Sequence, residues 1–417
     1  MQVALLSTLE PSVDDPATPR GLLRLGGRSL VQHQLSVALA LGCERVICLA
    51  EGLPGELIAL QHVAERGGAS FQVAADGRAV ARMVKPDDEM LVIADGLIAP
   101  AATLRGLVGT RPGLLVQPVE SGIAAGYERI DLNHAGGGAM RLPGRLAANL
   151  AELPGDWNPV SALLRIAVQA GLRQVVLPQA LIDDGRWALI RSEAEAHRLE
   201  PRWLRLHTAG AESGASGGPG AWISARLVER LGPALLHAGT RPPLIAAGAG
   251  IVAMLGLGLA WFGAPSAGFV LLGLAWLVRR AAALLGRIDR ATTGRRRGWL
   301  RPEALFGWLL DAGFVLAATW RFTRDAPAED ALLIGAFAAL TTFGLLRLVP
   351  RAFARRRWAS WFDDRLLASL ALAAASLSEV FDLALMAAGL ILLAGALAAA
   401  HDGTASEEPS PERLTPP

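Results

Sequence analysis

The sequence predicts two folds in series: a soluble α/β domain with a largely parallel sheet, then an all-α membrane domain of six spans. Three observations carry this expectation. The 417 residues are 52% hydrophobic and only 19% charged, with mean hydropathy +0.36, too apolar for one ordinary soluble domain. The apolar weight is lopsided: blocks of Leu, Ala, Val, Gly, Phe and Trp run from Pro242 onward, whereas 1–220 reads as soluble. In that first half, short apolar runs alternate with helical patterns, the mark of a sheet covered by helices.

The elements follow in order. Residues 2–7 (QVALLS) and 45–50 (RVICLA) are short apolar runs with turn residues after them, and 30–41 carries apolar residues at helical spacing. Further strands are expected at 90–94 and 114–119, and helices at 55–65, 142–152 and 158–170. This domain is expected to span 1–207. The N-terminus has no basic region before an apolar run, which argues against a signal peptide and places the domain in the cytoplasm. Cys43 and Cys48 have no second pair or neighbouring histidine to complete a metal site, so they are expected to be buried free thiols.

Residues 208–220 contain AGAESGASGGPG, which reads as a flexible linker. In 221–240, Trp222, Ile223, Leu227, Leu231 and Leu235 fall on one side of a helix and Arg226, Glu229 and Arg230 on the other. That pattern suits a helix lying in the membrane interface, or one packed on the soluble domain. Within 241–400, six apolar stretches at 244–262, 266–285, 304–320, 329–349, 365–379 and 380–400 approach the roughly 20 residues that cross a bilayer, the fifth being short. Six arginines between spans two and three (287, 290, 295, 296, 297, 301) and four between spans four and five (351, 355, 356, 357) put both loops and both termini in the cytoplasm of a bacterial inner membrane. The Pro-, Glu- and Ser-rich tail 401–417 is expected to be disordered.

A formal net charge of +2 leaves no basic field for nucleic acid. HExxH, Walker and Cys/His metal patterns are missing from the sequence, and the spans show neither an internal repeat nor the broken-helix pairs of a transporter. Ionisable residues inside spans are expensive, so Asp311 and Asp382 ask for an explanation. For Asp311 two readings stand: a metal or phosphate site at the cytoplasmic ends of the spans, or a buried pair with Arg290, Arg347 or Arg365 that fixes helix packing. Asp95 likewise is either a ligand-site carboxylate at a strand end or the first residue of an Asp-Gly turn.

An amphipathic helix leading into six spans resembles the CDP-alcohol phosphotransferases, whose signature is D-x-x-D-G-x-x-A-R followed by G-x-x-x-D-x-x-x-D. Gly286 and Arg290 match the first half, Gly307 and Asp311 the second. The resemblance implies a metal site and a substrate site there, with Mg²⁺ or Mn²⁺ as cofactor and a CDP-alcohol or inositol phosphate as ligand. This sequence departs from the signature at Ala282, Leu285 and Val315, where the family has aspartates, and at Asp289, which stands in the alanine position and is a candidate metal ligand. One carboxylate cannot hold two hard cations.

The N-terminal domain resembles the sugar-phosphate nucleotidyltransferases, which carry a Rossmann-like α/β fold. Residues 18–30 (TPRGLLRLGGRSL) fit the later part of that family's signature, with Pro19, Arg20, Gly26 and Gly27 as candidate substrate-binding residues and Arg20 in the lysine position. Asp95 stands where the family has a metal-binding aspartate. The glycine-rich phosphate loop is replaced by STLEPSVDDPAT, whose Glu10, Asp14 and Asp15 are expected to repel a triphosphate. Together the two resemblances imply a bifunctional inositol-phosphate cytidylyltransferase and CDP-inositol phosphotransferase plan with both motifs degenerate. The expected protein is linked to phospholipid or inositol-phosphate head-group biosynthesis, with reduced or lost catalysis. The alternative is a non-catalytic scaffold or regulatory paralogue of an active lipid synthase. The expected partners are the lipid bilayer and a second copy docked through the membrane domain.

Overall fold

The structure, a computed structural model, describes residues 1–52, 55–109, 111–212, 218–237, 242–293, 302–325, 330–352 and 361–405. The side chains of 208–212, 236–237, 288–293, 302–303, 325, 351 and 398–405 are not among those described. The chain divides into two compact units, one built mainly on Met1–His207 and the other mainly on Thr240–Gly286 and Gly298–Pro417.

The first unit opens with β1 (Gln2–Ser7), the hairpin β2 (Arg24–Leu25) and β3 (Arg28–Ser29), α1 (Leu30–Ala40), β4 (Arg45–Leu49), α2 (Gly55–Arg66) and β5 (Ser70–Ala74). It continues through α3 (Gly77–Met83), β6 (Glu89–Ile93), β7 (Leu97–Ile98), α4 (Ala101–Val108), β8 (Gly113–Pro118), α5 (Val119–Ala124) and β9 (His134–Pro143). α6 (Pro159–Gln169), β10 (Gln174–Val176), α7 (Gln179–Asp183), β11 (Ala188–Leu189) and α8 (Glu193–Glu212) complete it.

Seven of these strands form one sheet in the order β10-β8-β9-β6-β1-β4-β5, in which only β9 runs antiparallel to its neighbours. Helices cover both faces, so β1, β4 and β6 read as nearly continuous apolar runs, with Val3, Leu5 and Ile47 in one core cluster and Ala4, Leu6 and Cys48 in the other. α1 begins where the Gln32 side chain accepts the Ser29 amide at 3.2 Å, and α6 where Asn158 accepts the Val160 and Ser161 amides ahead of Pro159. Both cysteines are free and buried, and burial pushes their thiols up, to about 11 for Cys43 and about 12 for Cys48.

Two expectations for this unit change. The helix expected at 142–152 is the end of β9 followed by a 3₁₀ helix, Gly144–Glu152. β9 pairs with β6 on one side and β8 on the other, and this cross-strand pairing overrides the helical spacing as far as Pro143. The linker is also shorter than expected: Thr208–Glu212 continue α8 and Pro219–Gly220 begin the next helix, while 213–217 lie outside the described residues.

The second unit is helical: α9 (Pro219–His237), α10 (Pro242–Trp261), α11 (Pro265–Thr293), α12 (Pro302–Asp325), α13 (Ala331–Ala352), α14 (Arg365–Ala375) and α15 (Phe381–Ala405). Its core gathers Phe269, Phe314, Phe343 and Phe381, with Phe314 stacked on Phe343 at 5.3 Å between ring centres. α10 and α11 approach at a pair of glycines: a Cβ on Gly256 would stand 2.9 Å from the Gly268 carbonyl oxygen.

Of the six expected spans, four helices among the described residues are long and apolar enough to cross a membrane: Pro242–Trp261, Pro265–Arg287, Ala304–Arg324 and Ala331–Pro350. The fifth stretch falls short because Asp364 caps α14 and Ser376 ends it, leaving 11 residues. The sixth stretch lies in α15, which is apolar over Phe381–Leu397, the part whose side chains are described. Asp382 lies in the first turn of α15, where a carboxylate complements the helix dipole. His401–Ala405 continue α15, and the remainder of the expected disordered tail, 406–417, lies outside the described residues, as do most of both arginine loops.

Candidate functional site

Strands β4 and β5 lie on one side of β1 and β6 on the other, so the chain order switches at β1. A crevice opens beyond the carboxyl ends of such strands. Ser7 ends β1, and Ala94-Asp95-Gly96 follows β6. Here a cavity of about 210 Å³ is lined by Ser7, Glu10, Arg20, Asp95, Glu128 and Asn158, among others.

Asp95 lines this cavity and is also the first residue of an Asp-Gly turn. Gly96 has φ +79°, and a Cβ there would stand 2.3 Å from the Ile190 carbonyl oxygen, so the turn demands glycine. The Asp95 carboxyl is 4% exposed; Oδ2 accepts the Glu10 amide at 2.9 Å, while Oδ1 is buried without a hydrogen-bond partner. Burial pushes its pKa up to about 8, against the opposing pull of the Glu10 amide and the Arg20 charge.

The replacement for the glycine loop, residues 8–19, folds as a strap across this crevice. Pro11 bridges Pro19, the Ser12 amide donates to the Thr18 carbonyl, and the Val13 amide donates to the Arg191 carbonyl. The expectation that three acids repel a triphosphate is thereby refined. Asp14 accepts the Ala194 amide at the start of α8, and Asp15 accepts from Thr18 and Ala17 within the strap. Only Glu10 of the three lines the cavity. One of its oxygens lies 3.8 Å from Arg20 Nη2, and the other accepts from Asn158 Nδ2.

Of the residues singled out in the sequence, Arg20 and Asp95 come together here, and Pro19 anchors the strap. Gly26 (φ +61°) and Gly27 (φ +75°) turn the β2–β3 hairpin instead. The Gly26 amide donates to the buried Glu200 carboxylate at 2.8 Å and Trp203 packs over it, tying the hairpin to α8. Asn158, Glu128 and Ser161, which donates to Glu128, line the cavity unforeseen; the Asn-Pro pair signalled only a helix cap. A second cavity, of about 280 Å³, is lined by His33, Trp203 and His207. The buried His33 ring bonds the Leu25 carbonyl at 2.8 Å, and desolvation pushes its pKa down to about 4.

In the helical unit, Asp311 is held by two arginines. Arg365 meets it through Nε at 2.9 Å and Nη2 at 3.3 Å, and Arg347 Nε lies 3.3 Å from Oδ2. Gly307 leaves room for this group: a Cβ there would stand 3.3 Å from Arg347 Nη2 and 3.5 Å from Arg279 Nη1. Arg347 also lies over the Trp308 ring, 3.6 Å from its centre. Gly286 is buried on α11, and the side chains of Asp289 and Arg290 lie outside the described residues.

The described surroundings of Asp311 do not fit a divalent metal. Both Asp311 oxygens face guanidinium groups, and Ala282, Leu285 and Val315 offer no side-chain oxygen. The Asp95 carboxyl accepts an amide of the strap. Among the described residues no group of three or more His, Cys, Asp or Glu side chains is arranged for a metal ion.

No family model matches the chain, and no curated protein matches it. Among solved structures, its N-terminal region resembles a glucose-1-phosphate thymidylyltransferase from Bacillus anthracis, solved with a sucrose, at 14% identity and TM-score 0.36, over 48% of this chain and 93% of that one. It also resembles a UDP-glucose pyrophosphorylase from Acinetobacter baumanii at 11% identity and TM-score 0.37, over 50% of this chain and 94% of that one.

Proposed function

We propose that this chain is an integral membrane protein of phospholipid or inositol-phosphate head-group metabolism, built on a CDP-alcohol phosphotransferase-like plan with a nucleotidyltransferase-like cytoplasmic domain. In this reading it serves as a non-catalytic scaffold or regulatory partner of an active lipid synthase. It sits in a bacterial inner membrane with both termini in the cytoplasm and pairs with a second copy through its membrane helices. The observation that carries the loss of catalysis is the pairing of Asp311: the carboxylate left from the metal signature neutralises Arg365 and Arg347 and has no face to offer Mg²⁺ or Mn²⁺. Without bound cations, a diphosphate would meet no charge arrangement suited to its cleavage. The test is turnover of CDP-alcohols by the protein in liposomes with Mn²⁺. No turnover is expected. Turnover by the wild type would restore the transferase reading and make Asp289 the next residue to replace.

A further inference from the structure

The crevice of the α/β unit already contains an anion, its own Glu10. The carboxylate stands between a cation, Arg20, and an amide donor, Asn158, while the backbone of the same residue ties down Asp95. Each partner is itself placed by the fold. Asn158 keeps its Oδ1 on the first amides of α6, which leaves its Nδ2 aimed at Glu10. Arg20 is held by a backbone bond from its amide to the Glu10 carbonyl at 2.7 Å, and its side chain is packed against the Gly96 turn.

The Arg20 arrangement is poorly matched to its occupant. At 3.8 Å the Glu10 contact is an ion pair without a hydrogen bond, and Glu10 is 38% exposed while Arg20 is 15% exposed. Arg20 Nε is buried and has no hydrogen-bond partner. A guanidinium favours an oxyanion that takes two parallel N–H bonds, a geometry that Glu10, fixed by its own backbone, does not reach. Asp95 adds a buried carboxyl whose Oδ1 also lacks a partner.

We propose that Glu10 is a built-in plug of an oxyanion site, and that a small phosphomonoester or inorganic phosphate binds this crevice by displacing the Glu10 carboxylate from Arg20 and Asn158. Displacement releases one cation and one amide donor together. The strap is fixed separately, by the Val13 amide on Arg191 and by Asp14 at the start of α8, so it can lift at Glu10 without coming away at its far end. The cavity, about 210 Å³ with Glu10 in place, has room for a phosphate on a small polyol. The inference concerns the cytoplasmic crevice alone and stands whether or not the membrane unit is silent.

The test uses the full chain in detergent, with inorganic phosphate, glycerol 3-phosphate and CTP as probes in calorimetry. Glu10→Gln keeps the size of the plug and removes its charge. It is expected to bind phosphate and glycerol 3-phosphate at least tenfold more tightly than the wild type, and Glu10→Gln/Arg20→Gln is expected to lose that gain. Tighter binding of glycerol 3-phosphate than of phosphate identifies a phosphomonoester as the ligand, and equal binding identifies the free anion. No gain in Glu10→Gln overturns the proposal, as does a gain confined to CTP. Should the variant not fold, hydrogen exchange in the wild type decides: saturating phosphate must speed exchange of the 8–19 amides, and unchanged exchange overturns the proposal.

Discussion

Arg365 meets Asp311 side-on, Nε on one carboxylate oxygen at 2.9 Å and Nη2 on the other at 3.3 Å, with 3% of the arginine and 12% of the aspartate side chain exposed. This two-point geometry ties the first turn of α14 to the interior of α12, and Arg347 on α13 adds a third helix to the same carboxylate. Charges taken out of water this far persist only when paired, so the triad decides where these helices can sit.

Removing the acid from the triad therefore costs more than the pair contributes. Asp311→Asn leaves two guanidiniums opposed to a neutral amide and is expected to destabilise the helical unit by about 3–5 kcal/mol. Asp311→Asn/Arg365→Met is expected to recover part of that loss, because one of the two stranded guanidiniums leaves with the acid while Arg347 stays. Thermal unfolding in detergent measures both. Mn²⁺ is expected to leave the wild-type midpoint unchanged; a rise that Asp311→Asn abolishes would contradict the pairing as the role of Asp311.

Asp95 gives the α/β unit a pH dependence of definite sign. Its folded pKa, about 8, lies above the unfolded value near 3.8, so between these limits the folded state holds a proton that the unfolded state has lost. The stabilising proton is fully present below pH 3.8 and its contribution falls as pH rises toward 8, by up to about 1.4 kcal/mol per unit. His33 has the opposite slope between its unfolded value of 6.5 and about 4, where lowering the pH favours the unfolded state. His207, also pushed down by burial, acts with His33, so the histidines offset Asp95 below pH 6.5 and leave its slope unopposed by them from 6.5 to 8. Asp95→Asn is expected to gain stability relative to the wild type as pH rises from 4 to 8 and then hold level. A difference in urea unfolding that stays flat across this range would refute the buried proton.

Asp364 joins two helices of the helical unit by its two oxygens. Oδ1 caps α14 through the Leu366 amide at 3.0 Å, and Oδ2 accepts the Gly220 amide at 2.6 Å in the first turn of α9. Asp364→Ala is expected to lose both, costing about 1–2 kcal/mol for the cap and speeding hydrogen exchange at 219–224. Asp364→Asn retains an oxygen for the cap but opposes an N–H to the Gly220 amide. It is therefore expected to loosen α9 while leaving α14 protected. Equal protection of 219–224 in all three proteins would show that the Asp364 contact does not hold α9.

How far the sequence reveals this molecule depends on how each element is buried. β1, β4, β6 and β8 are covered on both faces and are legible as apolar runs, whereas the edge strands β5 (SFQVA) and β10 (QVV) are partly exposed and carry too little pattern. β9 (HAGGGAMRLP) hides behind glycines that make room for neighbours: a Cβ on Gly137 would stand 2.8 Å from the Leu115 side chain. At the site, Asp95 and Arg20 are legible because a strand end and a local motif place them. Glu10 is legible as a charge, but its direction, inward onto Arg20, depends on contacts 85 and 148 residues away with Asp95 and Asn158. Asp311 sits between two readings until helix packing brings Arg365 to it from 54 residues away.

The short α14 makes the topology testable at one turn. Eleven residues at about 1.5 Å rise cover only about half of a bilayer core. Yet its two ends are fixed against α12 at different depths: Arg365 at Asp311, and the turn after Ala375 at Arg321, whose Nε and Nη2 donate to the Ser376 and Ser378 carbonyls at 3.3 and 3.2 Å. Asp311 and Arg321 are ten residues apart on one helix, a rise of about 15 Å, which α14 matches with its own length. The turn at 376–380 therefore lies level with the Asp325 end of α12. If the arginine-rich segments face the cytoplasm, that level is the outer one. With both cysteines of the chain buried, Ser378→Cys and a cysteine placed within 326–329 are expected to react with an impermeant maleimide added outside intact cells. Arginine-loop cysteines are expected to react only after permeabilisation. Labelling of residue 378 from the cytoplasmic side alone would overturn this placement of the turn after α14.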